Sequence, residues 1–289
     1  MQTPAADIEV DDALVRRLLE EQHPDLAELP LRLVANGWDN VLYRLGDELV
    51  VRVPRRQLVA GLIENEQRWL PELAPDLPVA VPVPVRVGVP TEVFPYSWTV
   101  ARWIEGELAS HVPYSEHDSV APLLAEFVAH LHKPAPSNAP HNRFRGVPLE
   151  DRAEVIEERF RSGLIRNLSN VKERWNAALS ARPWTAPPRW LHGDLHPANI
   201  LIRDGALASV IDFGDMTAGD PATDLATAWL TFDAQGRAAF RAALDYDDAT
   251  WTRARGWAIG FGTAFVVISA DNPDMVRIGT HALEQVLLD

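Results

Sequence analysis

The chain has 289 residues, 47% hydrophobic and 24% charged, which excludes a small stapled scaffold and predicts one large domain or two lobes around a substantial core. It contains no cysteine, so disulfides, thiolate zinc sites and cysteine nucleophiles are excluded together. The formal net charge of −14 disfavours nucleic acid as a partner and favours a cationic ligand, although solubility alone also accounts for it.

The N-terminal MQTPAADIEVDD is acidic and has no basic-then-apolar leader pattern. The longest apolar run, AIGFGTAFVVISA, falls short of the ~20 residues of a membrane span, so a cytoplasmic protein with no membrane partner is expected. Asp11 or Asp12 is placed to cap a first helix through VRRLLEEQ, with Leu14, Val15, Leu18 and Leu19 on one face. LRLVA reads as a strand and VLYRLGDELVVRVP as a hairpin turning at Gly46-Asp47; LVAGLIENEQRWLPEL reads as a helix. PDLPVAVPVPVRVGVPTEVFPYS is rich in proline, which blocks helix and central sheet pairing, so it predicts extended connection or sheet edge. SWTVARWI is the next strand. Beyond Glu105-Gly106-Glu107 the periodicity is helical, in VAPLLAEFVAHLH, EVIEERF, VKERWNAAL and the segments after Pro221. One β-like island, NILIRDGALASVIDF, interrupts it and turns at Asp204-Gly205. A β-rich third thus precedes a helical remainder, with the seam near Arg102 to Gly106.

Three polar positions in the island and the loop before it carry chemistry. Asp194 and Asn199 form D-x-x-x-x-N ahead of the strand that starts at Ile200, and Asp212 ends the paired strand SVIDF. A tight turn at Asp204-Gly205 brings the two strand ends together, so Asn199 and Asp212 are expected to face one site. Oxygen ligands without sulfur suit Mg²⁺, which takes one or two protein ligands plus phosphate oxygens and water. A carboxylate and an amide beside a further aspartate are the parts that phosphoryl transfer from a nucleotide requires. The plain alternative is a capped turn followed by a strand-end aspartate.

HGDLHPANILI followed by VIDFGD resembles the catalytic loop and metal-binding segment of kinases. In its H-G-D-x-x-x-x-N form it resembles the aminoglycoside phosphotransferase family of antibiotic and small-molecule kinases. The trailing GDPATDLATAW and the N-terminal GWDNVLYRLGDELVVRVPRR resemble that family as well, so the likeness runs along nearly the whole chain. The resemblance implies a bilobal α+β, protein-kinase-like fold. Residues 1–103 would form a nucleotide-binding N-lobe of small antiparallel sheet with one long helix. Residues 104–289 would form a larger, mainly helical C-lobe with the catalytic loop and the acceptor helices. It implies Asp194 as catalytic base, Asn199 and Asp212 as Mg²⁺ ligands, His192 as the residue that shapes the loop, and Asp224 as its brace. The nucleotide would be held by Arg52, its helix partner Glu66 (Glu64 the second choice), Gly37 in the phosphate loop, and hinge backbone from Arg102 to Ile104. Arg52 stands where kinases carry a lysine, a change of shape and hydration that still allows bidentate phosphate binding. ANGWDN offers a single glycine where kinases often have three. The implied activity is transfer of the γ-phosphoryl group of ATP or GTP to a hydroxyl of an antibiotic-like acceptor, an aminoglycoside or a macrolide, with resistance as the family role.

Other readings remain beside this one. A metabolic kinase of the same fold, for choline, homoserine, methylthioribose or a sugar adduct, shares the motifs. A protein kinase would need an activation loop, and GDPATDL follows Asp215 too soon to leave room for one. A nucleotide-binding module without turnover would fit Arg52 and the glycine-poor loop. His196, His130 and His132 read as structural, and Gly260-Phe261-Gly262 lacks the third glycine and the strand-turn-helix of a dinucleotide fingerprint. Among the 10 tryptophans, Trp229, Trp251 and Trp257 either line a pocket for a bulky apolar acceptor or belong to the core. Asp215, Asp220, Asp245, Asp247 and Asp248 either bind a polyamine-like acceptor or serve as caps and surface.

Overall fold

The computed structural model describes residues 5–37 and 39–288. Residues 1–4 and 289, at the ends of the two expected lobes, and Trp38, in the expected phosphate loop, lie outside the described residues. The chain divides into two compact units. One reaches Pro75 and resumes over Ala80–Ile104; the other holds Asp76–Val79 and the chain from Glu105 onward.

The first unit opens with α1 (Asp12–Gln22), where Asp11 caps the helix by accepting the Leu14 N–H at 2.8 Å and Val15, Leu18 and Leu19 are buried. There follow β1 (Leu31–Asn36), β2 (Asn40–Leu45), β3 (Leu49–Pro54), α2 (Gln57–Leu73), β4 (Pro84–Gly88) and β5 (Trp98–Arg102). The strands form one antiparallel sheet in the order β1-β2-β3-β5-β4. The proline-rich stretch supplies β4, an edge strand, the position where missing N–H donors cost least. Period-two alternation sends Val41, Tyr43, Leu45, Val51 and Val53 into a core with Trp98 and Val100. Arg52 therefore points to the opposite face from Val51 and Val53.

The second unit is mainly helical. Its elements are β6 (Glu107–Leu108), α3 (Ala121–Leu131), α4 (Ala153–Phe160), α5 (Leu168–Leu179), β7 (Arg189–Leu191), β8 (Ile200–Arg203), β9 (Ala206–Val210) and β10 (Thr217–Gly219). Helices α6 (Ala222–Leu225), α7 (Thr227–Thr231), α8 (Ala234–Ala242), α9 (Asp248–Val267) and α10 (Pro273–Gln285) complete it. Strands β6, β8 and β9 make one small sheet, and β7 pairs with β10. Helix α9 is buried along most of its length, and α4, α5, α6 and α10 pack on it. Trp229, Trp251 and Trp257 are 1%, 6% and 3% exposed, so these three belong to the core and do not line an acceptor pocket. Trp251 meets Trp229 and Phe240 edge-on, each at 6.3 Å. No helix among the described residues is long and apolar enough to cross a membrane.

Candidate active site

The loop between β7 and β8 is built around buried hydrogen bonds. His192 is fully buried; its Nε2 lies 3.0 Å from the Ile211 carbonyl, and its Nδ1 accepts the Asp194 N–H at 3.2 Å. One tautomer, protonated at Nε2, satisfies both contacts. Asp224 at α6 is also fully buried and accepts the N–H groups of His192 (2.7 Å) and Gly193 (2.8 Å). His132 Nε2 adds a third contact to Asp224 at 3.2 Å, and its Nδ1 lies 2.8 Å from the Tyr246 hydroxyl. A carboxylate without water needs such donors. Gly193 has φ +85°, and a Cβ there would stand 2.2 Å from the Asp215 carbonyl oxygen, so the turn requires glycine.

This scaffold presents Asp194, which is partly buried. Its Oδ1 accepts Arg145 Nη2 at 3.0 Å; its Oδ2 lies 3.2 Å from His196 Nε2 and 3.4 Å from Asn199 Nδ2. Burial works to raise the Asp194 pKa. The charge and hydrogen bond of His196 and the charge of Arg145 outweigh it and hold the group well below the usual carboxylate range. Asp194 is thus an ionised acceptor at neutral pH.

Asn199 is 7% exposed, and its Nδ2 also donates to the Asp194 carbonyl at 2.9 Å. With the nitrogen so engaged, Oδ1 is the atom left for a ligand. The Ile211 N–H donates to the Asn199 carbonyl at 2.9 Å and extends the Ile200–Val210 register. Asp212 follows directly, two residues past the end of β9 and not at its end. Its φ of +62° and ψ of 68° are left-handed, a conformation that costs a non-glycine residue about 1–3 kcal/mol and bends the chain out of the ladder into the turn Phe213–Asp215. Among the described residues no three His, Asp or Glu side chains converge into a metal cage. One amide and one carboxylate fit Mg²⁺, which completes its shell with water and phosphate.

Sequence reasoning missed Arg145 and Asn142. Both lie in HNRFRG, and their partners lie far along the chain. Asn142 donates to Asp215 Oδ1 at 2.6 Å and anchors the loop by donating its N–H to Thr217 Oγ1 at 3.0 Å. Burial, followed by the charge of Asp194, pushes the Asp215 pKa up against the pull of Arg145 and Asn142. Burial works to lower the Arg145 pKa, and Asp194 and Asp215 outweigh it, so this guanidinium stays charged. Of the other acids singled out, Asp220 pairs with buried Arg253 (2.7 Å), and Asp247 caps α9 through the Thr250 N–H (2.8 Å) and pairs with Arg182.

In the first unit Arg52 Nη1 donates to Glu66 Oε2 at 2.6 Å, with side chains 15% and 6% exposed. Glu64, two residues away and on another helical face, accepts Ser97 Oγ at 3.0 Å instead. The Asn40 amide, turned with its oxygen to the guanidinium, accepts Arg52 Nε (3.1 Å) and Nη2 (3.0 Å). Gly37 donates its N–H to the Asn40 carbonyl at 2.9 Å, and its own carbonyl accepts Arg55 Nη1 at 2.7 Å. Arg102 is exposed, 3.8 Å from Glu48, whose carbonyl accepts the Trp103 N–H at 2.7 Å. The backbone N–H and C=O of Ile104 make no hydrogen bond among the described residues.

A five-stranded sheet with one long helix, followed by a helical unit bearing H-G-D-x-x-x-x-N and an aspartate just past strand β9, defines the class: a protein-kinase-like phosphotransferase fold. The model of the phosphotransferase enzyme family matches residues 30–257, and the chain belongs to that family. Among similar solved structures, the GDP complex of wild-type aminoglycoside 2'-phosphotransferase-IIIa is 20% identical, with a TM-score of 0.69 over 96% of this chain and 99% of that one. A ternary complex of an aminoglycoside 2''-phosphotransferase with streptomycin and ATP is 19% identical, with a TM-score of 0.61 over 96% and 98%. The macrolide 2'-phosphotransferase of Brachybacterium faecium is 21% identical, with a TM-score of 0.61 over 95% and 98%. No curated protein sequence matches the chain.

Proposed function

We propose that the protein is a small-molecule kinase that transfers the γ-phosphoryl group of ATP or GTP to an acceptor hydroxyl. The observation that carries this reading is an ionised Asp194 bonded to Asn199 on a loop fixed by buried His192 and Asp224, with Asp212 next after the Ile211 that meets both Asn199 and His192. The acceptor oxygen attacks the γ-phosphorus, and the bond from phosphorus to the β,γ-bridging oxygen breaks. The hydroxyl proton passes to Asp194, and the nucleoside diphosphate leaves. Asp194 is a weak base, so its main work is to orient the hydroxyl and take the proton late, which suits a loose transition state. Asn199 Oδ1 and the Asp212 carboxylate would hold Mg²⁺, which when bound neutralises charge on the phosphates.

Arg52, fixed between Glu66 and Asn40, is suited to grip donor phosphates, and the Gly37 turn would lie over them. Arg102 and the open backbone groups of Ile104 would meet the base of the nucleotide. In this reading residues 1–103 serve the nucleotide and residues 104–289 the acceptor. The donor is an intracellular nucleotide, which puts the reaction in the cytoplasm.

The structural neighbours are described with aminoglycosides or as macrolide enzymes, so antibiotic-like alcohols are the first acceptors to assay. A metabolic acceptor is the second reading. It is favoured by Arg143, Arg145, Arg152 and Arg159, whose clustered guanidinium groups would repel a polyamine. The test is phosphate transfer by the purified protein with Mg²⁺ and ATP or GTP. The panel spans aminoglycosides, macrolides, choline, homoserine and methylthioribose. Asp194→Asn is expected to lower kcat by at least ~10²-fold with nucleotide affinity unchanged. Near-wild-type turnover in that variant would overturn the role of Asp194.

A further inference from the structure

The loop before α4, and α4 itself, bring four arginines to the side of the C-lobe that carries Asp194. Arg145 bonds Asp194, and its guanidinium lies over the Phe261 ring at 4.8 Å. Arg159 donates to the carbonyl of Gly260, the residue before Phe261, at 3.0 Å. Phe144 is 42% exposed, and the guanidinium groups of Arg143 and Arg152 lie over its ring at 4.4 and 5.2 Å. Two rings and one turn of α9 thus tie the four cations into one cluster.

Their counter-charges do not match. Arg145 has Asp194, but Arg143, Arg152 and Arg159 form no ion pair among the described residues. Burial first, and then Arg145 and Arg143, push the Arg152 pKa down; burial, Arg152 and Arg145 push Arg159 down to about 10. The opposing carboxylates, Asp151 and Glu158, are chain neighbours of these arginines and exposed, and their effect is the smaller one. Glu150, Asp151, Glu154, Glu157 and Glu158 share this segment, yet among the described residues none of them forms an ion pair with Arg143, Arg152 or Arg159, and Glu157 pairs with Lys172 instead. Like charges held together destabilise a fold unless an anion offsets them.

We propose that the acceptor is an alcohol that also carries a carboxylate or phosphate group. Arg143 and Arg152 would hold the anion, Phe144 would take the adjoining apolar part, and the hydroxyl would reach Asp194. The proposal rests on the kinase reading above and narrows it: amine-bearing aminoglycosides and macrolides would meet like charge here.

Three probes share one ring and one primary alcohol and differ in charge: 4-(hydroxymethyl)benzoate, 4-(hydroxymethyl)benzamide and 4-(hydroxymethyl)benzylamine. Their dissociation constants for the full chain would be measured by ligand-observed NMR. The benzoate is expected to bind about tenfold more tightly than the benzylamine, the gain of one charge-assisted hydrogen bond. The Arg143→Gln/Arg152→Gln double variant should bring the three within about twofold, and Arg143→Lys/Arg152→Lys should restore the order. Equal or tighter binding of the benzylamine, or no binding of any probe, would overturn the proposal. So would a tenfold loss of ATP affinity in the glutamine variant, which would assign the arginines to the donor.

Transfer to the same three alcohols is assayed separately. Charge-selective binding with no transfer to any hydroxyl tested keeps the anion site and counts against the kinase reading. Transfer that favours the benzylamine keeps the kinase and removes the anion site.

Discussion

At the scale of single residues, the loop that carries Asp194 depends on a carboxylate that touches no solvent. Asp224 accepts two backbone N–H groups and one histidine with its two oxygens. Asp224→Asn preserves volume but turns an NH₂ toward one of those donors. The unmade bond is expected to cost about 1–3 kcal/mol in urea unfolding and to lower kcat. Unchanged stability would show that the loop does not depend on this contact. Asp194, Asn199 and Asp212 could be singled out from the sequence because D-x-x-x-x-N and the aspartate of SVIDF are local patterns separated by one tight turn. Helical geometry kept Glu64 and Glu66 off one face without choosing between them, and the Arg52 contact is with Glu66. Arg145 and Asn142 were not legible: the partners lie 49 and 73 residues away, and no local spacing encodes them. Tryptophan content alone did not distinguish stacking surface from core, and burial decides for core at Trp229, Trp251 and Trp257.

At the scale of elements, long amphipathic segments announced themselves by periodicity, as did the β2–β3 hairpin by its Gly46 turn. The two- and three-residue strands β6, β7 and β10 did not. They exist because distant partners complete their ladders: Glu107 with Ile202, and Leu191 with Thr217. Gly262 and Gly279 have a packing reason: a Cβ on Gly262 would stand 3.0 Å from Leu283 Cγ and 3.2 Å from the Gly279 carbonyl oxygen, and a Cβ on Gly279 of α10 would stand 2.7 Å from the Gly262 carbonyl oxygen and 2.8 Å from Phe265 Cβ. Glycine at these positions lets α9 and α10 approach. Two substitutions separate helix propensity from this contact. Gly61 in α2 has nothing within 4 Å of its would-be Cβ, so Gly61→Ala is expected to stabilise by ~0.5–1 kcal/mol through propensity. Gly279→Ala makes the same chemical change in a helix, and overpacking should destabilise it by about 1–3 kcal/mol. Denaturant midpoints measure both, and equal signs would refute the contact argument.

At the scale of the whole molecule, an acidic chain has to hold a polyanionic donor, so the charges it sets against phosphate must be local or supplied from outside. In the proposed reading Arg52 is one such charge in the chain itself. The other in this reading is Mg²⁺, held by an amide and a carboxylate that make too small a shell to retain the ion without phosphate. Metal and nucleotide should therefore stabilise the protein only as a pair. With the Mg²⁺–nucleotide at about 100 times its dissociation constant, ligand linkage gives about 2.7 kcal/mol. Mg²⁺ alone should raise the thermal midpoint little, and EDTA added to the nucleotide-bound protein should lose most of the gain. Asp212→Ala is expected to lose the metal-dependent part, which calorimetry reads as a fall in Mg²⁺–ATP affinity towards that of ATP alone. The left-handed backbone at Asp212 adds a second readout. Alanine is strained there as well, so the unliganded variant should be no more stable than the wild type. A variant with unchanged Mg²⁺–ATP affinity would remove Asp212 from the metal site and leave Asn199 without its partner ligand.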